Sequence, residues 1–312
     1  MRKTLAAAAL LIAALLGYHY VPRRIPAKTK EPLLIAHRGV HQNHQLDGLK
    51  NDTCTARLIE PPRHAFLENT IPGIAAAFAA GADVVEFDIH PTADNRLAVF
   101  HDWTLDCRTN GKGVTHEQTL AYLQSLDIGY GYTADTGRTF PLRGKGAGLM
   151  PSIDQVLAAF PDRRLLIDQK DHYTRTIELL ATKLNELPDE RRKQLFYWND
   201  QRDFDALSKR TTGIRRLLPS RPEMKRCARA WLLRAGLGKL PAQCHAGIGI
   251  PARYLERVPG WPGLILQKAR AANVPVYVFD VDTPDDVRAV EDLPLDGIVT
   301  NRIGVVAPLL RR

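Results

Sequence analysis

The chain has 312 residues, 45% of them hydrophobic and 25% charged, which excludes a minimal domain and fits one large α/β domain. Its formal net charge of +9 favours an anionic partner such as a phosphorylated small molecule or an anionic lipid. No interleaved basic and aromatic motif is present, so nucleic acid is not an expected partner.

Arg2 and Lys3 precede an apolar run from Leu5 to Gly17, and Arg23-Arg24 follow it. A positive start and a short apolar run predict an export segment over 1–21. An uncleaved signal anchor is favoured over a cleaved signal peptide, because no small-x-small cleavage site follows the run. Either form places the main domain outside the cytoplasm, periplasmic or extracellular, with the membrane as a partner through this segment. Residues 22–32 hold Pro22, Pro26 and Pro32 among basic residues and read as a linker to a domain spanning 33–312.

Predicted strands then run over 33–37, 84–89, 97–101, 164–169, 194–198, 214–218, 247–250, 275–280 and 297–300. Predicted helices run over 71–80, 116–126, 152–160, 174–187, 200–210, 222–235, 262–273 and 283–293. This alternation implies a mainly parallel sheet with helices outside it, and eight helices point to a (β/α)8 TIM-like barrel. The step from 89 to 97 is too short for a crossover helix, and Asp94-Asn95 reads as a hairpin turn. One member of that pair then falls outside the parallel order, or the strand at 247–250 is not one. Thr70 before Pro72 and Thr283 before Pro284 mark two helix starts. Residues 40–67 form an irregular polar insertion after the first strand, and its histidines His41, His44 and His64 read as solvated loop residues.

Cys54, Cys107, Cys227 and Cys244 make an even count in an exported context. Spacing alone leaves three connectivities open, as well as four unpaired thiols. The preferred pairs are Cys227–Cys244 and Cys54–Cys107. Helix 222–235 carries Met224, Cys227, Ala228, Trp231, Leu232 and Ala235 on one stripe, read first as the face an outer helix turns to its sheet and second, with Lys225, Arg226, Arg229 and Arg234 around it, as a basic amphipathic helix that rests on anionic lipid.

Chemistry gathers at strand ends. His37-Arg38-Gly39 follows the apolar run 33–36 and sets an acid/base group beside an anion binder. Glu86 and Asp88 share one face of a strand by alternation, where two carboxylates repel and a hard cation relieves them. His101 ends a second apolar strand and is followed by Asp102. Asp168 ends a third, with Lys170 on the same face to meet a phosphoryl oxygen.

At these residues the chain resembles the glycerophosphodiester phosphodiesterase family. The resemblance rests on His37-Arg38-Gly39, Glu68-Asn69-Thr70 with Pro72, Glu86-Phe87-Asp88 and Val99-Phe100-His101-Asp102. It continues through Leu105 to Arg108-Thr109, Leu149 to Ile153, Ile167 to Lys170, Val276 to Asp282 and Asp296 to Asn301. It covers about residues 33–303. It implies a barrel enzyme that hydrolyses glycerophosphodiesters to glycerol 3-phosphate and an alcohol. His37 and His101 would then be the acid/base pair, and Glu86, Asp88 and Asp168 the ligands of a divalent cation, Mg2+ or Ca2+. Arg38 and Lys170 would neutralise phosphate, and Glu68 would be a polar site residue. The chain departs from the family pattern at Asp168, where glutamate is usual, at Phe279, where tryptophan is common, and at Asn301, where aspartate is common. Alternatives are a lysophospholipase D-like enzyme acting on membrane lysolipids and a non-catalytic barrel that binds a phosphorylated ligand.

Overall fold

The computed structural model describes residues 23–44, 48–49, 53–234 and 237–311. The predicted anchor at 1–21 lies outside them. Among the described residues no helix is long and apolar enough to cross a membrane. The chain divides into two compact units, one of residues 34–217 with 300–312 and one of 1–33 with 218–299.

The larger unit starts with β1 (Leu33–Ala36), α1 (Ile71–Ala79), β2 (Val84–Pro91) and β3 (Leu97–Val99). It continues with α2 (Leu120–Ser125), α3 (Ile153–Ala159), β4 (Leu165–Gln169), α4 (Thr174–Asn185), α5 (Asp189–Arg192), β5 (Leu195–Trp198), α6 (Gln201–Ser208) and β6 (Arg215–Arg216). β2 pairs in parallel with β1 and β4, and β5 continues the parallel order between β4 and β6. β3 folds back antiparallel on β2, with Ile89 opposite Val99. This is the hairpin read at Asp94-Asn95, where Asn95 takes φ 59°. Every residue of β2 is buried, as a strand covered on both faces requires. The Thr70 side chain caps α1 by accepting the Gly73 N–H, and Pro72 sits in the first turn.

A second apolar cluster lies between the insertion and the segment 98–150. Ala56, Ile59 and Leu67 pack with Phe100, Leu105, Leu123, Leu126, Tyr132 and Met150. The Cys54–Cys107 disulfide borders this cluster. Closing 53 residues of chain, it contributes roughly 4 kcal/mol in the chain-entropy account.

The smaller unit holds α7 (Arg221–Leu233), β7 (Ile248–Pro251), α8 (Gly263–Ala271), β8 (Val276–Phe279), α9 (Pro284–Val290) and β9 (Gly297–Thr300). Its strands are parallel in the order β7, β8, β9, so 248–251 is a strand. Cys227 on α7 is joined to Cys244. Thr283 and Asp286 form a reciprocal capping box at the start of α9. Residues 23–32 form no helix or strand, and Lys30 pairs with Asp296 at 2.9 Å. α10 (Ile303–Leu310) closes the chain within the larger unit.

Four readings need correction. The helix expected over 116–126 is a 3-10 turn at Thr115–Glu117 followed by α2, because Thr119 caps a new helix by accepting the Tyr122 N–H. The insertion 40–67 is not wholly irregular, since Thr55–Leu58 forms a 3-10 turn whose Thr55 and Ala56 are buried. α10 went unread because its sequence is apolar on all sides and contains Pro308. The α7 stripe splits: Cys227 and Trp231 are buried, whereas Ala228 and Leu232 are exposed, and Ala235 lies outside the described residues.

Candidate active site

All the predicted site residues belong to the larger unit. In the parallel register of β2 with β4, Asp88 lies opposite Asp168. Alternation along β2 puts Glu86 on the same face as Asp88. Glu86, Asp88 and Asp168 thus each bring a carboxylate oxygen to within 4.8 Å of the others. Glu86 and Asp88 are completely buried. Glu86 Oε2 accepts the Arg38 N–H at 2.7 Å, but Glu86 Oε1 has no hydrogen-bond partner. Asp88 Oδ1 has none in good geometry and meets the Lys170 ammonium at 3.2 Å. Lys170 also reaches Asp168 Oδ2 at 3.2 Å.

Charge is unevenly shared here. Burial, then the neighbouring Asp88 and Asp168, pushes the Glu86 carboxyl well above its ordinary range. Burial also lifts Asp168 to about 6, against the pull of Lys170. Asp88 feels the same burial, but Lys170 and Arg38 outweigh it and hold Asp88 well below its usual range. A buried carboxylate with an oxygen left without a partner is costly unless something fills the gap. An oxygen-only donor set suits a hard cation such as Mg2+ or Ca2+, so these residues fit a divalent ion.

The sharp turn after β1 places His37 and Arg38. Arg38 takes φ 59° and Gly39 φ 73°. A Cβ on Gly39 would come within 2.8 Å of the Gly73 backbone, so glycine is required there. The His37 N–H bonds Thr300 O at 2.9 Å, and its Nδ1 faces Asn301 Oδ1 at 2.8 Å. That arrangement puts the ring proton on Nδ1 and leaves Nε2, 3.9 Å from Glu86 Oε2, as a lone-pair donor. His101 Nδ1 faces Asp102 Oδ1 at 2.7 Å. Burial, then Arg38, holds both imidazoles well below their ordinary range, so both are neutral near pH 7. Both rings lie close enough to Asp88 to act on its charge.

Joined to the unsatisfied carboxylates through Arg38 is a network in which each carboxylate is paired. Glu68 takes Arg38 Nη1 at 3.1 Å and Arg108 Nη1 at 2.7 Å. Arg108 also gives Nε to Asp102 at 2.8 Å, Nη1 to the Tyr132 hydroxyl at 2.8 Å and Nη2 to Thr55 at 2.8 Å. Burial pushes Glu68 up, but Arg108 and Arg38 together win and hold it below its ordinary range. Arg38 Nε also lies 3.3 Å from Asp88 Oδ2.

Sequence reasoning gave no role to Asn69, His90, Asp102, Arg108, Tyr132 or Asn301. Asn69, at φ 59°, donates Nδ2 to Asp88 Oδ2 at 2.7 Å and accepts the Asp88 N–H at 2.9 Å. His90 follows Glu86 and Asp88 on the same face of β2 by alternation, which the strand period alone shows. It packs edge-on to Trp103, with its Nε2 3.2 Å from the His101 carbonyl. His41 is corrected: it is buried rather than solvated, its Nδ1 2.9 Å from Gln42 O and its ring stacked on His44. Burial lowers it to about 4. A second cluster, His172 with Asp200 and Asp203, is already engaged internally: His172 bonds Asp203, and Asp200 caps α6.

Residues 37–305 match the Glycerophosphoryl diester phosphodiesterase family, and the chain belongs to it. The chain is 44% identical over 62 residues to a glycerophosphodiester phosphodiesterase of Caldanaerobacter subterraneus, a stretch covering 20% of this chain and 26% of that protein. It thus spans well under half the length of the first curated relatives it matches. Among solved structures, it is similar to the glycerophosphoryl diester phosphodiesterase domain of a Mycobacterium tuberculosis protein. There the TM-score is 0.64 and the identity 19%, over 90% of this chain and 98% of that one. An Oleispira antarctica phosphodiesterase in complex with the product sn-glycerol-3-phosphate gives a TM-score of 0.57 and 19% identity, over 90% of this chain and 98% of that one. The fold class is therefore the (β/α)8 TIM-like barrel that the strand–helix alternation predicts.

Proposed function

We propose that this chain hydrolyses glycerophosphodiesters to glycerol 3-phosphate and an alcohol. The observation that carries the reading is the partnerless oxygen of buried Glu86, set among Asp88, Asp168 and two neutral imidazoles. The relative solved with sn-glycerol-3-phosphate supports the substrate class.

Glu86, Asp88 and Asp168 would hold a divalent ion, which when bound supplies positive charge against the phosphoryl oxygens. Lys170 and Arg38 add fixed cations beside it. His37, with its proton held toward Asn301, offers Nε2 as the base that takes a proton from the attacking hydroxyl. That hydroxyl belongs to water or to the substrate's own glycerol. His101 is neutral at rest with Nδ1 turned to Asp102; that carboxylate would stabilise the imidazolium formed once Nε2 takes a proton from solvent, and the proton would then pass to the leaving alkoxide. Arg108 and Glu68 act through Asp102 and Arg38 by fixing their positions.

We place the domain outside the cytoplasm, tethered or released through 1–21. The two disulfides support an oxidising compartment.

A panel of water-soluble glycerophosphodiesters and detergent-dispersed lysolipids, with and without chelator, tests this reading. Release of glycerol 3-phosphate that stops with chelator and returns with Mg2+ or Ca2+ is expected. Turnover confined to lysolipids transfers the activity to the lysophospholipase D-like reading. Binding of phosphodiesters without turnover in any divalent ion defeats the enzyme reading.

A further inference from the structure

The outward face of α7 is unusual for a helix of a barrel's outer layer. Its inward face is fixed. Cys227 is tied to Cys244, and Trp231 is buried with Nε1 donating to Pro259 O at 2.9 Å. Glu223, the helix's one acid, is buried and closes the capping box with Ser220. The outward side therefore carries no carboxylate. Lys225, Arg226 and Arg229 are exposed there, and Leu232 and Leu233 follow on the same face one turn later. Arg234 at the helix end and Lys239 just after it are exposed too. Among the described residues, no carboxylate pairs with Lys225, Arg226, Arg229, Arg234 or Lys239. Leu232 is 58% exposed, Leu233 88% and Leu237 47%. Single exposed leucines are ordinary, but three within six positions, collared by five cations, form a patch.

We infer that this face docks on an anionic lipid bilayer, Leu232, Leu233 and Leu237 entering the headgroup boundary while the basic collar meets lipid phosphates. The face combines exposed leucines with exposed long cationic side chains. That suits an interfacial helix, whose leucines enter the acyl boundary while arginine and lysine stems reach back to the headgroups. Lipid contact at α7 is separate from any membrane hold through 1–21 and from turnover, so its failure leaves the phosphodiesterase reading standing.

The full chain carrying Leu233→Cys tests it. The native cysteines are paired, so the new thiol is the one to label with an environment-sensitive fluorophore. Vesicles of phosphatidylcholine alone are compared with equal mixtures of phosphatidylcholine and phosphatidylglycerol. On mixed vesicles the label shifts to the blue and is quenched by brominated lipid, and high salt reverses both. Adding Arg226→Ala and Arg229→Ala lowers the docked-to-undocked ratio about fivefold for each charge, or about 25-fold together. An unchanged melting temperature shows that those exposed substitutions leave the fold intact. A label that stays water-exposed on mixed vesicles overturns the inference. So does quenching equal on both vesicle types and indifferent to the arginines. A blue shift that grows with protein concentration without vesicles assigns the face to a second copy of the chain and also overturns it.

Discussion

Two clusters of charge meet at Arg38 in this site, and they differ in how completely they are satisfied. Glu68, Arg38, Arg108, Asp102 and Tyr132 form a closed network with every carboxylate of the set matched to a guanidinium. Glu86, Asp88 and Asp168 crowd together with one oxygen lacking any partner and two carboxyls raised toward protonation. The first cluster behaves as scaffold, because its charges are already paired. The second behaves as a receptor: it is partly neutralised by Lys170 and Arg38 but keeps a Glu86 oxygen without a partner, the place the proposed cation would fill. Both are buried, so burial alone separates nothing; the pairing of each atom does.

The largest effect that sharpens this contrast comes from the two imidazoles, His37 near Glu86 and His101 on Asp102. His37→Ala and His101→Ala should each lower turnover by roughly 10²–10⁴ while leaving cation affinity nearly intact. Glu86→Gln and Asp88→Asn should instead raise the cation concentration needed for activity. Equal cation affinity in all four variants would break the division of roles. Arg108→Ala leaves Asp102 without its guanidinium and Glu68 with Arg38 alone, and should cost about 3–5 kcal/mol in chemical denaturation. A loss below about 1 kcal/mol would mean that the scaffold cluster is not one. Tyr132→Phe removes one hydroxyl from the same network, and about 1 kcal/mol is expected.

A smaller effect concerns pH. Asp168 has its folded-state value raised from 3.8 to about 6. The folded chain therefore holds this proton more tightly than the unfolded chain, and the cation-free protein loses stability as pH rises through that window. A bound cation replaces the proton. The rise in melting temperature on adding Mg2+ or Ca2+ should thus grow as pH rises from below 3.8 to above 6. A rise that shrinks over that range would contradict the assignment of Asp168 to the receptor cluster.

The sequence exposes one cluster far better than the other. Glu86 and Asp88 are two residues apart on an apolar strand, so alternation alone shows that they share a face. His37 and His101 each end an apolar run, which marks them without a structure. The scaffold cluster is built from contacts between distant residues: Arg108 meets Glu68 across 40 positions and Tyr132 across 24. No local period encodes such pairs. His37 and Asn301 are 264 residues apart, and the departure at Asn301 acquires a role only once the ring is seen beside it. Most of the strands are legible because they are short apolar runs between turn residues; β6, Arg215–Arg216, is readable only through the apolar residues that flank it. The last helix was not, because an apolar stretch with no polar face looks the same as a buried strand.

The most direct test is calorimetric titration of Mg2+ and Ca2+ into the parent protein, His37→Ala and Glu86→Gln. The account predicts a binding event in the parent that persists in His37→Ala and is lost or severely weakened in Glu86→Gln. Binding that survives Glu86→Gln unchanged would contradict it.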